Sequence, residues 1–523
     1  MLRRVLGLLL LSLIVVAGAG AKPRPQPKAE PPSDPVAWTS YGYDNQLRNA
    51  VPSTLLTLRT VPRLAPAWKA GLDGPVYASP LSARVGGDQV AYVATEAGSV
   101  YALAVTTGEV LWRRELGTTT TELCGTWGIT STGAIDLARG LIYVIGATGQ
   151  LHALSLATGE EAAGYPRQVV SRPDIEYVWG GLRIARDRLY VPIASYCDVG
   201  GADGFPEGSL LAIPLDAAKA STTWDPVPGP DNLGGMWGWG GVSIAPTTGV
   251  VYTGVGNSHA WSDECSCFVD NAGYGDRIVA LSPDLTRVLD SSQLPDIPPT
   301  GDADFGAAAL LFQPETCPPL AAANNKNGTL YILDREHLSQ GSLVFIPLGD
   351  GAAPFVGEPA WSVQKQMIYS AQSVLYGDDG KRLGNGVRAF HVDPGCGFRP
   401  IWSKALGDGN QAKPLVVGNV LFATGGTPGG FYALDAANGL SLWSYATTGS
   451  TVAAIITVAG TVLGADTEGT VYAFRPPERS RGCTGRAEVL CSRRAADAQS
   501  RRRPDQVPPR GIAASAALVQ HPF

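Results

Sequence analysis

The sequence predicts an all-β fold, an eight-bladed β-propeller of four-stranded antiparallel blades whose ring is closed by an N-terminal strand. Three observations carry this expectation. First, a short phrase recurs eight times, an apolar strand with an aromatic residue or Ala near its centre that runs into a small-residue turn. It reads VYALAVTTG from Val100, LHALSLATG from Leu151, LLAIPLDAA from Leu210, IVALSPDLT from Ile278, LYILDREH from Leu330, VRAFHVDPG from Val387, FYALDAANG from Phe431 and VYAFRPP from Val471. Second, successive starts lie 51, 59, 68, 52, 57, 44 and 40 residues apart, the period of four-stranded sheets arranged radially about a channel. Third, the last repeat leaves only three strands before Pro476, whereas APAWKA around Trp68 reads as a strand without a blade. Pairing the two closes the ring and removes its free edges.

The individual elements follow from the same pattern. Blade one reads VYASPLSA from Val76, QVAYVATE from Gln89, SVYALAV from Ser99 and EVLWRREL from Glu109, with alternating or β-branched and aromatic residues marking strands. Thr107-Gly108 and Asn438-Gly439 read as tight turns in which Gly supplies a positive φ. A Trp stands eleven residues after the repeat Tyr in two blades, Tyr101 to Trp112 and Tyr432 to Trp443, and Trp402 holds a similar place; these indoles are expected between neighbouring blades.

Outside the propeller, expected over 36–477, the chain carries three further segments. Arg3 and Arg4, the apolar run Val5–Val16 and Ala19-Gly20-Ala21 read as a secretory signal over 1–21, with the mature chain starting near Lys22. The apolar run is too short for a membrane-spanning helix. Residues 22–35 read as a Pro-rich linker, and 478–523 as an Arg-rich disordered tail. The expected location is therefore periplasmic or secreted. A net charge of -6 gives no basic footprint for nucleic acid.

Export permits disulfides among Cys124, Cys197, Cys265, Cys267, Cys317 and Cys396. Their connectivity cannot be read from spacing, but Cys265 and Cys267 are expected in two separate structural bridges, since no second Cys or His pair completes a metal site with them. No Cys-x-x-Cys-His occurs, so covalent c-type haem is not expected. His152, His259, His337 and His391 show no ligand spacing.

A fold leaves function open, so chemistry must be sought in a site. The stretch MWGWGGVSIAPTTGVVYTGVGNSHAW, residues 236–261, resembles the fourth-blade region of the pyrroloquinoline quinone (PQQ) dependent alcohol dehydrogenases. NAGYGDRIVALSPDL at 271–285, GDADFG at 301–306 and NNKNGTLYILDR at 324–335 continue that resemblance, which spans about 36–477 from WTSYGYDNQLRN to FYALDAANGLSLW. It implies that Trp239 is the indole on which the quinone stacks, that Asn257 is a metal ligand, and that Lys326 is the cation holding the quinone oxygens. Asp304 or Asp302 is implied as the base that takes the alcohol proton, with the other of the two as an extra carboxylate of the kind that binds a lanthanide. The chain has no adjacent Cys pair, offers Asp198 or more distantly Glu207 where the family has a metal-binding Glu, and has Trp179 where a cofactor-contacting hydroxyl is expected. Taken singly, these residues also have ordinary readings: Trp239 as packing, Asn257 and the aspartates as turn formers, Lys326 as a hairpin tip.

The resemblance implies an exported oxidoreductase that uses PQQ with Ca2+ or a lanthanide, without haem. It would act on a small alcohol-type substrate and deliver electrons to a separate cytochrome or other acceptor. Two other readings of the same repeats are a scaffold that offers its rim to other proteins and a carbohydrate- or polymer-binding propeller.

Overall fold

The computed structural model describes residues 34–477 apart from 199–203, 217–218, 228, 230–231, 296, 298–302, 350–356, 377–379, 407–411 and 427–428. The expected signal, most of the linker, the tail and Asp302 lie outside the described residues. Within them the chain forms eight β-sheets of four or five strands, with two short 3-10 turns, Val61–Arg63 and Leu338–Gln340. In blade one the order is Leu81–Val85, Asp88–Ala94, Ser99–Ala104, Val110–Glu115, each antiparallel to the next. The second and third strands are almost wholly buried and the fourth is mostly exposed, so the repeat phrase marks the third, buried strand. The uneven period comes from insertions: a hairpin of Thr119–Thr121 with Gly125–Trp127 after blade one, and another of Ala260–Ser262 with Cys267–Val269 inside blade four.

Neighbouring blades are joined by a repeated indole contact. Trp112 Nε1 donates to Leu156 O at 3.2 Å, Trp402 Nε1 to Ala436 O at 3.2 Å, and Trp68 Nε1 to Val105 O at 2.8 Å. Each indole lies on the turn glycine of the next blade. A Cβ on Gly108 would stand 2.6 Å from Trp68, one on Gly159 2.7 Å from Trp112, and one on Gly439 2.7 Å from Trp402. All three glycines have φ between 69° and 78°, so the turn glycine serves both the left-handed backbone and the seat of the indole.

Two N-terminal segments bind the blades to each other. Ala65–Gly71 pairs antiparallel with Thr470–Arg475 and so supplies the outer strand of the sheet containing the last repeat. The preceding stretch, residues 35–51, passes from blade to blade at the start of their first strands. Ala459 N donates to Pro35 O, and Trp38 and Ser82 exchange both backbone bonds. Ile135, Ile244, Leu311, Trp361 and Val416 then donate in turn to the carbonyls of Thr39, Asn45, Gln46, Arg48 and Asn49. The Asn45 side chain reaches Ile184 O at 3.3 Å. Seventeen residues thereby touch all eight sheets, and Tyr41 and Leu47 turn inward into full burial.

Among the described residues the cysteines pair as Cys124–Cys197, Cys265–Cys267 and Cys317–Cys396. The expectation of separate bridges for Cys265 and Cys267 is thus corrected. Their hairpin reverses through Ser266 at φ 51°, which brings the two Cα atoms to 5.2 Å, within bonding range.

Candidate active site

The loops that enter the first strands of blades four and five meet around Asp304. Its side chain is fully buried among polar neighbours. Lys326 Nζ lies 3.0 Å from Oδ1, Trp237 Nε1 donates to Oδ2 at 2.7 Å, and the Asn257 backbone N–H points to Oδ2 at 3.3 Å. The Lys326 ammonium also sits 4.7 Å from the centroid of the Trp237 ring, a cation–π distance. Backbone contacts fix the register of the cluster: Lys326 N donates to Asp304 O at 3.0 Å, and Asn325 Nδ2 to Ala303 O at 2.7 Å. Glycines make room for the indole, since a Cβ on Gly306 would approach Trp237 to 2.2 Å and one on Gly256 would lie 3.2 Å from it. The arrangement is a buried carboxylate facing an ammonium and an indole N–H, each of which stabilises negative charge on it.

An aromatic wall adjoins this cluster. Trp127, Tyr177, Trp179 and Tyr196 pack with Cys124 and Cys197, and Trp237 packs against the same group. Trp179 stands edge-on to Trp127 at 5.0 Å and to Tyr177 at 5.2 Å, and its Nε1 donates to Ser195 O at 2.7 Å. In place of an adjacent Cys pair, a bridge between residues 73 apart ties this wall together.

Beneath lies a buried charged floor that sequence reading did not find. Glu358 accepts from Tyr41 Oη at 2.9 Å, Gly240 N at 2.6 Å and Ala308 N at 3.3 Å, and so joins the two loops that carry Trp237 and Asp304. Arg183 donates to Ser40 Oγ and to the carbonyls of Tyr41, Asp44 and Val242. Burial pulls its guanidinium down to about 10, against the opposing pull of Asp44 and Glu358. Lys413 Nζ donates to Pro359 O at 2.7 Å, and burial pulls it down to about 8, also against Glu358 and Asp44. Elsewhere, burial raises Glu96 to about 7. Glu358, Arg183 and Lys413 fall in none of the quoted motifs and come from separate parts of the chain, so no spacing marked them.

Comparisons with known proteins bear on this geometry. A family profile described as outer membrane protein assembly factor BamB matches residues 65–196 and 397–485. A polyvinylalcohol dehydrogenase of Pseudomonas sp is 25% identical over 469 residues, covering 80% of this chain and 69% of that protein. The dehydrogenase subunit of a quinone alcohol dehydrogenase of Gluconacetobacter polyoxogenes is 23% identical, covering 70% of this chain and 53% of its own length. The chain is similar to the quinoprotein alcohol dehydrogenase-like β-propellers. Among solved structures, a quinohemoprotein alcohol dehydrogenase from Comamonas testosteroni superposes with a TM-score of 0.67 at 18% identity, covering 86% of this chain and 82% of that one. A europium-containing methanol dehydrogenase gives 0.64 at 16%, covering 84% and 98%. These two likenesses are likenesses of fold.

Within this quinoprotein-like propeller, the structure brings Asp304, Lys326 and the Asn257 backbone together, sets Trp179 in the adjoining aromatic wall and packs Trp239 in a separate cluster. Trp239 is buried with Tyr41, Leu47, Ala308 and Ala454 on the floor side, and its carbonyl accepts from Gly181 N at 2.8 Å. The indole at Asp304 is Trp237, two residues earlier. Both stand in the MWGWG stretch, and the turn from Gly238 to Gly241, closed at 2.9 Å, sends them to different sides. Asp198 is paired with the Ser195 hydroxyl, and Glu207, 48% exposed, faces Arg172 at 3.6 Å. Among the described residues no three His, Cys, Asp or Glu side chains cluster as a metal cage. The indole, ammonium and aromatic wall suit a planar anionic quinone.

Proposed function

We propose that this protein is a PQQ-dependent dehydrogenase that oxidises a hydroxyl compound and passes electrons to an external acceptor. The observation that carries the reading is the buried Asp304–Lys326–Trp237 cluster. PQQ, when bound, supplies a planar two-electron acceptor. Trp237 offers the face for stacking, and Trp179 with the Cys124–Cys197 bridge forms the adjoining wall. Asp304 takes the hydroxyl proton, which eases departure of the carbinol hydrogen with its electron pair and leaves a carbonyl product. Lys326 holds the carboxylate in place before transfer and offsets negative charge as electrons arrive. No step is assigned to a metal.

Export is proposed on the N-terminal signal pattern. The three disulfides support an oxidising compartment. A scaffold role draws support from the BamB-described profile, but that match omits 197–396, the stretch that contains Trp237, Asn257, Asp304 and Lys326. Dye-linked turnover of a panel of primary and secondary alcohols by the PQQ-loaded protein tests the enzyme reading. Asp304→Asn is expected to lower kcat by about 10²–10⁴-fold; a rate within a factor of two of the parent removes Asp304 from the mechanism.

A further inference from the structure

An exposed aromatic ladder begins two residues beyond Asn257. His259 stacks on Phe268 with centroids 4.1 Å apart and planes 7° from parallel, Phe205 adjoins His259 at 4.8 Å, and Trp261 meets Phe268 edge-on at 5.3 Å. Trp261 and Phe268 are cross-strand partners in the inserted hairpin, 57% and 49% exposed. A two-stranded hairpin is marginal alone, and this one is braced at both ends. The Cys265–Cys267 bridge closes its tip. At its base, Ser258 N donates to Asp270 O at 2.6 Å, His259 N to Asn232 O at 3.0 Å, and Gly234 N to Asn257 O at 2.9 Å. The bracing holds large apolar rings against solvent without burying them, which is how a binding surface is built rather than a core.

Resting on the dehydrogenase reading, we propose that this ladder docks the substrate, and that the substrate is a neutral, flexible polyhydroxylated chain. Continuity supplies the first argument, because Asn257, whose N–H faces Asp304, leads directly into His259. A chain lying on the rings can therefore deliver one hydroxyl to Asp304 while neighbouring segments stay bound. Ring chemistry supplies the second, since aromatic faces accept C–H-rich surface and leave hydroxyls in water. Charge supplies the third: Asp263 and Glu264 stand at the hairpin tip and disfavour anionic polymers. A small alcohol has no use for a platform outside the site.

The test compares poly(vinyl alcohol) with pentane-2,4-diol on the full-length protein and on the Trp261→Ala/Phe268→Ala double variant, with Trp261→Phe as the conservative control. The ratio of kcat/KM for polymer over diol is expected to fall about tenfold or more in the double variant, with most of it restored by Phe. An unchanged ratio, with both substrates equally affected or equally unaffected, overturns the proposal. Calorimetric titration of the cofactor-free protein with the same polymer separates this inference from the dehydrogenase reading. Binding that the double variant loses supports the ladder even if turnover fails altogether, and no polymer binding by the parent overturns it.

Discussion

Replacing Lys413 by Met should remove a pH-dependent contribution to stability of about 2 kcal/mol between pH 7 and 9.5. Lys413 is fully buried, and burial, only partly opposed by Glu358 and Asp44, lowers its ammonium to about 8 from 10.5. Between those values the unfolded chain binds more protons than the folded one, so stability must rise with pH. The cost of the buried charge is fully present below pH 8 and is relieved as pH climbs toward 10.5. From pH 7 to 9.5 the folded state releases nearly the whole proton while the unfolded lysine stays charged, which integrates to a gain of about 2 kcal/mol. Glu96, raised to about 7, and the buried tyrosines, whose raised values cost stability as the unfolded phenols begin to ionise below pH 10, act alike in parent and variant, so the difference between the two proteins isolates Lys413. Guanidinium unfolding at pH 7 and 9.5 measures the effect. Between the two pH values the change in the parent should be more favourable than that in Lys413→Met by about 2 kcal/mol. Equal changes in the two proteins would refute the buried-ammonium account of the channel floor.

Three further outcomes are expected. Trp237→Ala should weaken PQQ binding at least about tenfold, whereas Trp239→Ala should instead cost about 3–5 kcal/mol of stability through the cavity it leaves; paired fluorescence titrations and melts tell the two apart. Deleting residues 34–71 should abolish cooperative unfolding, because that segment contacts every sheet and supplies the outer strand beside Thr470–Arg475; a sharp, unshifted melt would exclude a role in ring closure. Cys124→Ala should lower stability by about 4 kcal/mol on the chain-entropy scale for a bridge spanning 73 residues, measurable as a shift in denaturant midpoint.

The blades were legible in sequence because every repeat carries the buried third strand, and several add a turn glycine and a docking Trp within a short window. Asp304 and Lys326 were legible through motif order. The choice between Trp237 and Trp239 was not, because both indoles share one Gly-rich stretch and only the Gly238–Gly241 turn decides which of them faces the carboxylate. The floor was invisible for a different reason: Glu358, Arg183 and Lys413 come from three blades and meet only when residues 35–51 draw the ring together. Cys265 and Cys267 were misread because the reversal at Ser266 depends on a left-handed residue that is not glycine.

The central claim, that the Asp304–Lys326–Trp237 cluster serves a quinone, is tested most directly by titrating the purified cofactor-free protein with PQQ and following Trp fluorescence together with the quinone absorbance. Saturable binding of one equivalent that is weakened by Trp237→Ala is predicted; absence of saturable binding, or binding indifferent to Trp237, would contradict it.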